Sequence, residues 1–131
     1  MNRFEERRRQ FMDHIGADIA IVPAAAETVR NDDVHHPFRQ ASDFFFLTGF
    51  PEPDAVALFD PAHDEPYVLL VRPHDPEMEA WNGKRAGVDG AIADYGADVA
   101  YPIDELGAVL RDRVRGRREA WYALGGPVDR E

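Results

Sequence analysis

AVALFDPAHDEPYVLLV, residues 55–71, contains two short runs that are apolar at every position, 55–59 and 67–71, around a connector rich in Pro, Asp and His. A strand with one wet face alternates apolar and polar side chains, whereas a strand covered on both faces is apolar throughout. The two runs are therefore expected to be adjacent, hairpin-linked strands of a covered sheet.

Upstream, residues 18–25 (DIAIVPAA) are short, aliphatic and broken by Pro23, which suits another buried strand whose end reaches the surface. Before it, Phe4, Phe11, Met12 and Ile15 recur at helical spacing, Glu5 and Glu6 sit where a helix dipole favours acids, and Gly16 supplies a stop. An amphipathic helix over 2–15 follows. Residues 27–53 show no clear period and end in turn signals around Thr48-Gly49-Phe50-Pro51. A long ordered loop is expected there, with at most one turn of helix or a short strand near Phe44-Phe45-Phe46, whose rings fill the core beneath it.

Downstream, Asp75-Pro76-Glu77 is a helix start, with an Asp cap, a first-position Pro and an acidic first turn. That helix should carry Met78 and Trp81 and stop near Gly83. A short helix over 91–95 before Gly96 and a strand over 99–101 come next. Ile103, Leu106, Val109, Leu110 and Val114 then mark the inner face of a helix whose outer side is Arg111, Asp112, Arg113 and Arg115. Residues 119–124 (EAWYAL) read as a last strand. The order predicts one α/β domain over residues 1–131, a mixed sheet of five to six strands flanked by helices. Residues 125–131 (GGPVDRE) hold the turn, the Asp cap and the acidic first turn of one more helix, so the domain is expected to be cut near its C-terminal end.

Of the 131 residues, 44% are hydrophobic and 31% charged, the balance of a folded domain, and the net charge is −10. Such a field repels phosphate backbones and anionic lipid, so neither nucleic acid nor membrane is an expected partner. The Arg7-Arg8-Arg9 run is expected on a solvated helix face. Without cysteine there is no disulfide framework, thiolate metal site or thiol nucleophile. No apolar signal core opens the chain, and the expected location is cytoplasmic.

Five histidines and 25 carboxylates invite a metal hypothesis that the spacing does not support. His35 and His36 are adjacent and diverge on most backbones, while His63 and His74 have no partner at ligand spacing. Asp89 and Asp98 in DGAIADYGAD superficially resemble a dinuclear hydrolase loop, but a helix cap and a strand entry explain them. Ser42, the only serine, has no nucleophile-elbow context. Neither a catalytic residue nor a metal ligand nor a cofactor is expected in this segment.

The run RNDDVHHPFRQASDFFFLTGFPEPDAV, residues 30–56, is similar to the signature of the N-terminal domain of the aminopeptidase P and prolidase family of creatinase-like metallopeptidases. The likeness continues through Glu79-Ala80-Trp81-Asn82-Gly83-Lys84-Arg85-Ala86-Gly87 and Tyr95-Gly96-Ala97-Asp98 to the helix ending at Val114. It implies a ribonuclease H-like α/β fold and a non-catalytic domain whose partner is a C-terminal pita-bread domain. That absent domain would hold two divalent metal ions, commonly manganese, and would remove an N-terminal residue that precedes proline. The domain in hand would shape substrate access and build a homo-oligomer, dimer or tetramer. The resemblance implies that Trp81 looks toward a neighbouring subunit's active site, and packing of Trp81 under its own helix stays open beside that. Arg39 and Asp43 are expected to hold the loop as an ion pair or through carbonyls, or to touch substrate, and Arg85 joins Trp81, Arg39 and Asp43 as a candidate access or interface residue. A prolidase parent and a free-standing peptide- or protein-binding module remain the alternatives.

Overall fold

The computed structural model describes residues 2–26, 39–115 and 121–123. Helix α1 (Arg3–Ile15) begins at Asn2, whose side chain accepts the Glu5 amide at 2.8 Å, and ends at Gly16. Strand β1 (Ile19–Pro23), helix α2 (Ser42–Thr48) and strands β2 (Val56–Phe59) and β3 (Tyr67–Val71) follow. Then come α3 (Pro76–Asn82), α4 (Gly87–Tyr95), β4 (Val99–Pro102), a single 3-10 turn (Ile103–Glu105), α5 (Leu106–Val114) and β5 (Trp121–Ala123).

The described strands form one mixed sheet in the order β4-β3-β2-β1-β5. β2 runs antiparallel to β1 and β3, while β4 and β5 run parallel to their neighbours. The hairpin expected at residues 55–71 is the centre of this sheet. Its apolar pattern is explained by the two layers it separates. Ala20, Val22, Ala57, Phe59, Tyr67, Leu69 and Val71 face one cluster with Phe44, Leu47, Phe50 and Ala91. The alternate residues Ile19, Ile21, Val56, Leu58, Val68 and Leu70 face Val109, Leu106 and Leu110. Successive side chains of a strand point to opposite faces, so both registers must be apolar when helices cover both.

The structure departs from expectation in several places; Asp89, expected as a helix cap, lies within the first turn of α4. Residues 42–48 form two turns of helix, and Phe44 is buried while Phe45 and Phe46 are exposed. Three consecutive residues on a helix are 100° apart and cannot share one inner face. Helix α4 starts at Gly87, four residues earlier than the 91–95 expected. Arg8, within the arginine run, is buried: it donates to the Leu47 carbonyl at 3.0 Å and lies 4.2 Å over the Tyr67 ring. Arg113, assigned to the wet side of α5, is buried and donates to Asp60 Oδ2 at 3.2 Å and to the Glu65 carbonyl at 2.9 Å. The helix signal expected at 125–131 lies outside the described residues, as does the whole 27–38 stretch with its His35-His36 step.

Candidate functional site

Helix α3 is the one α-helix among the described residues whose attachment hydrophobic burial does not explain, because none of its residues is buried. It follows β3 across the sequence Arg72-Pro73-His74. At its start Asp75 Oδ1 accepts the Met78 amide at 3.3 Å, and Glu79 Oε2 reaches back to the Asp75 amide at 2.7 Å. This reciprocal cap satisfies amides that a helix start leaves free. The other oxygen of Glu79 accepts the Arg85 amide at 2.9 Å, folding the segment after Gly83 back under the helix.

Further polar ties hold this unit to the domain. The Arg85 guanidinium donates to the Pro73 carbonyl at 3.0 Å. Glu52, from the turn before β2, accepts the Ala86 amide at 2.7 Å and the Arg72 guanidinium at 3.4 Å. His74 puts Nδ1 3.2 Å from Glu79 Oε2 and Nε2 3.1 Å from Asp89 Oδ1 on α4. Hydrogen bonds from the amides of Arg85 and Asp75, reinforced by His74, hold the Glu79 carboxyl down at about 2. The same carboxylates, Glu79 foremost, raise His74, and His74 lowers Asp89 in return.

Presented on this polar mount, Trp81 is 83% exposed, with Met78 also exposed on the same short helix. An indole left in water on a fixed helix is a common anchor for a partner surface. Of the residues singled out in the sequence, Trp81 and Arg85 fall in this one unit. Arg39 and Asp43 are both exposed, and no ion pair joins them among the described residues. Asp43 instead borders a cavity of about 400 Å³ between α1 and α2, lined also by Arg7, Phe11, His14 and Phe46.

The loop is fixed by Gln40, which the sequence placed beside Arg39 without assigning it a task. Its Oε1 accepts the amides of Ala25 and Ala41 at 2.9 and 3.0 Å, and its Nε2 donates to the carbonyls of Phe50 and Glu52 at 3.2 and 2.8 Å. Asp98 likewise belongs to the fold: it accepts the Tyr67 amide at 2.9 Å while its own amide donates to the Tyr67 carbonyl at 2.8 Å, locking β4 to β3. Among the described residues there is no group of three or more His, Asp or Glu side chains able to hold a metal ion. No helix there is long and apolar enough to cross a membrane.

Comparison with known proteins places this architecture. The family described as "Aminopeptidase P, N-terminal domain" matches residues 4–122. The Xaa-Pro aminopeptidase of Haemophilus influenzae is 39% identical over 109 residues, 82% of this chain and 25% of its own length. That of Escherichia coli is 34% identical over 126 residues, 93% of this chain and 28% of its own. The chain thus spans about a quarter of the length of these relatives. In structure it is similar to the aminopeptidase PepP of Pseudomonas aeruginosa, with a TM-score of 0.86 and 48% identity over 96% of this chain and 29% of that one.

Proposed function

The chain belongs to the aminopeptidase P family, whose N-terminal domain it matches, and from that premise we propose that it serves an Xaa-Pro aminopeptidase as the domain that presents Trp81 to a partner subunit. In this reading the chemistry belongs to a catalytic domain elsewhere in the parent enzyme. Two divalent metal ions, manganese in the first instance, a cytoplasmic setting and an oligomer belong to that proposed parent. The described residues of this segment offer no donor set for the metals, and no step of the reaction is assigned to them. The relatives named above are Xaa-Pro aminopeptidases, which favours that parent over an Xaa-Pro dipeptidase.

The observation that carries the proposal is the 83% exposure of Trp81 on a helix that buries none of its residues and is tied down by polar contacts. That exposure favours a partner contact over packing of the indole beneath its own helix. Trp81 and Met78 would then close the rim of a neighbour's substrate channel, with Arg85 fixing the backbone behind them. The isolated chain is expected to show no turnover of Xaa-Pro peptides, with or without manganese. A chimera in which it replaces the matching segment of the Pseudomonas aeruginosa enzyme is expected to cleave them. In that chimera Trp81→Ala should lower kcat/KM about tenfold, equivalent to about 1.4 kcal/mol. Turnover by the isolated chain, or a chimera indifferent to Trp81→Ala, would refute the proposal.

A further inference from the structure

We propose that His74 is the positioning residue of the Trp81 helix: its ring, held between Glu79 of α3 and Asp89 of α4, clasps the two helices while both nitrogens are protonated and releases Asp89 when one is not.

The geometry makes the clasp depend on charge. Both ring nitrogens face carboxylate oxygens, Nδ1 at 3.2 Å from Glu79 and Nε2 at 3.1 Å from Asp89. A neutral imidazole has one donor and one acceptor, so it can satisfy only one of these oxygens and turns a lone pair on the other. Only the imidazolium donates to both. The two carboxylates are unequal in what else holds them. Glu79, with a side chain 12% exposed, is fixed by the amides of Asp75 and Arg85. Asp89, with a side chain 83% exposed, is readily taken up by water. Loss of the proton therefore leaves the Glu79 bond in place and opens the link to α4.

The backbone is shaped around the ring. Gly87, the first residue of α4, has φ +70, and a Cβ there would collide with the His74 ring. Only glycine accepts both that conformation and that approach. Because α3 buries no residue, hydrophobic contact does not substitute for the clasp when it opens. The charged groups facing the ring are Glu79 from α3 and Asp89 from α4. Arg85 is engaged with the Pro73 carbonyl, Asp75 with the start of α3, and Glu52 with Arg72 and the Ala86 amide. The flanking carboxylates raise His74 above its ordinary range, so the release comes on the alkaline side of that range. The clasp needs only the residues described; what Trp81 meets once presented rests on the function proposed above.

NMR titration of the 131-residue chain from about pH 5 to about pH 9 tests it, following the His74 ring, the Gly87 and Asp89 amides and the Trp81 indole N–H. All four are expected to move with one midpoint above 6.5, the ordinary value for histidine. In Asp89→Asn, an exposed substitution that leaves the core untouched, the shared midpoint is expected to fall. In His74→Gln the Gly87 and Trp81 signals are expected to lose that transition. A Trp81 indole that stays still while His74 titrates, or a midpoint unchanged in Asp89→Asn, would overturn the proposal. The readout uses no catalytic domain, so a chimera indifferent to Trp81→Ala would leave the clasp standing, and a failed titration would leave the role of Trp81 standing.

Discussion

Gln40 ties together three stretches of backbone: Ala25 just beyond β1, the start of α2 at Ala41, and the turn carrying Phe50 and Glu52. A primary amide suits this place because it offers two acceptor lone pairs and two donors in one plane. Gln40→Ala is expected to lower stability by about 2 to 3 kcal/mol, since backbone groups lose partners in a partly buried setting. Gln40→Glu should be at least as damaging, because a carboxylate keeps the acceptors and turns charge on two carbonyls. Urea unfolding midpoints measure both, and a loss under about 0.5 kcal/mol would show that the loop is held by other means. The sequence contained Gln40 in the run that marks the family, yet charge drew the expectation to Arg39 and Asp43. An ion pair between those two was plausible from spacing alone. Amide bonds to distant carbonyls leave no periodic trace, so the tasks of Gln40 and Glu52 were recognisable only through the fold they close.

The elements with a plain apolar pattern were legible: α1 and the inner face of α5 by helical spacing, and the hairpin β2-β3 by its unbroken apolar runs. Helix α2 was not, although Phe44, Leu47 and Thr48 stand at i, i+3 and i+4 and are all buried. The neighbouring Phe45 and Phe46 masked that period by adding apolar residues on the outer side. Arg113 was misjudged for the converse reason, as a cation on an otherwise apolar stripe. It docks α5 onto the β2-β3 connection by donating to buried Asp60, at 3.2 Å. Removing one member of a buried pair in low dielectric costs about 3 to 5 kcal/mol. Arg113→Met, which keeps the aliphatic stem, is expected to cost about that much in chemical denaturation. Adding Asp60→Asn should recover part of the loss, since the charge left behind is then gone. If the second substitution worsens the first by its full separate cost, the two side chains act independently and the docking of α5 rests on packing alone.

For the whole molecule, a net charge of −10 and the polar mount of α3 bear on stability in different ways. Self-repulsion of an acidic domain grows with pH and weakens with salt, whose screening length is about 8 Å at physiological strength. The contacts of His74 are short enough to persist under that screening. Their pH dependence follows from the shifts. His74 is raised in the fold, so its stabilisation is complete below the ordinary 6.5 and is lost as pH rises through the folded value. Glu79 is lowered to about 2 from an ordinary 4.5, so its stabilisation is complete above 4.5 and is lost as pH falls toward about 2. Between 4.5 and 6.5 both contributions are present, and the melting temperature at fixed salt is expected to be highest in that window. His74→Gln removes the alkaline limb and leaves most of the acid one, because Glu79 keeps the amides of Asp75 and Arg85, the larger causes of its lowering. Thermal unfolding at about pH 5.5 and about pH 8, in about 0.15 M salt, should therefore show a larger alkaline loss for the wild type than for His74→Gln. Parallel losses would assign the slope to net charge, and would detach the attachment of α3 from protonation altogether.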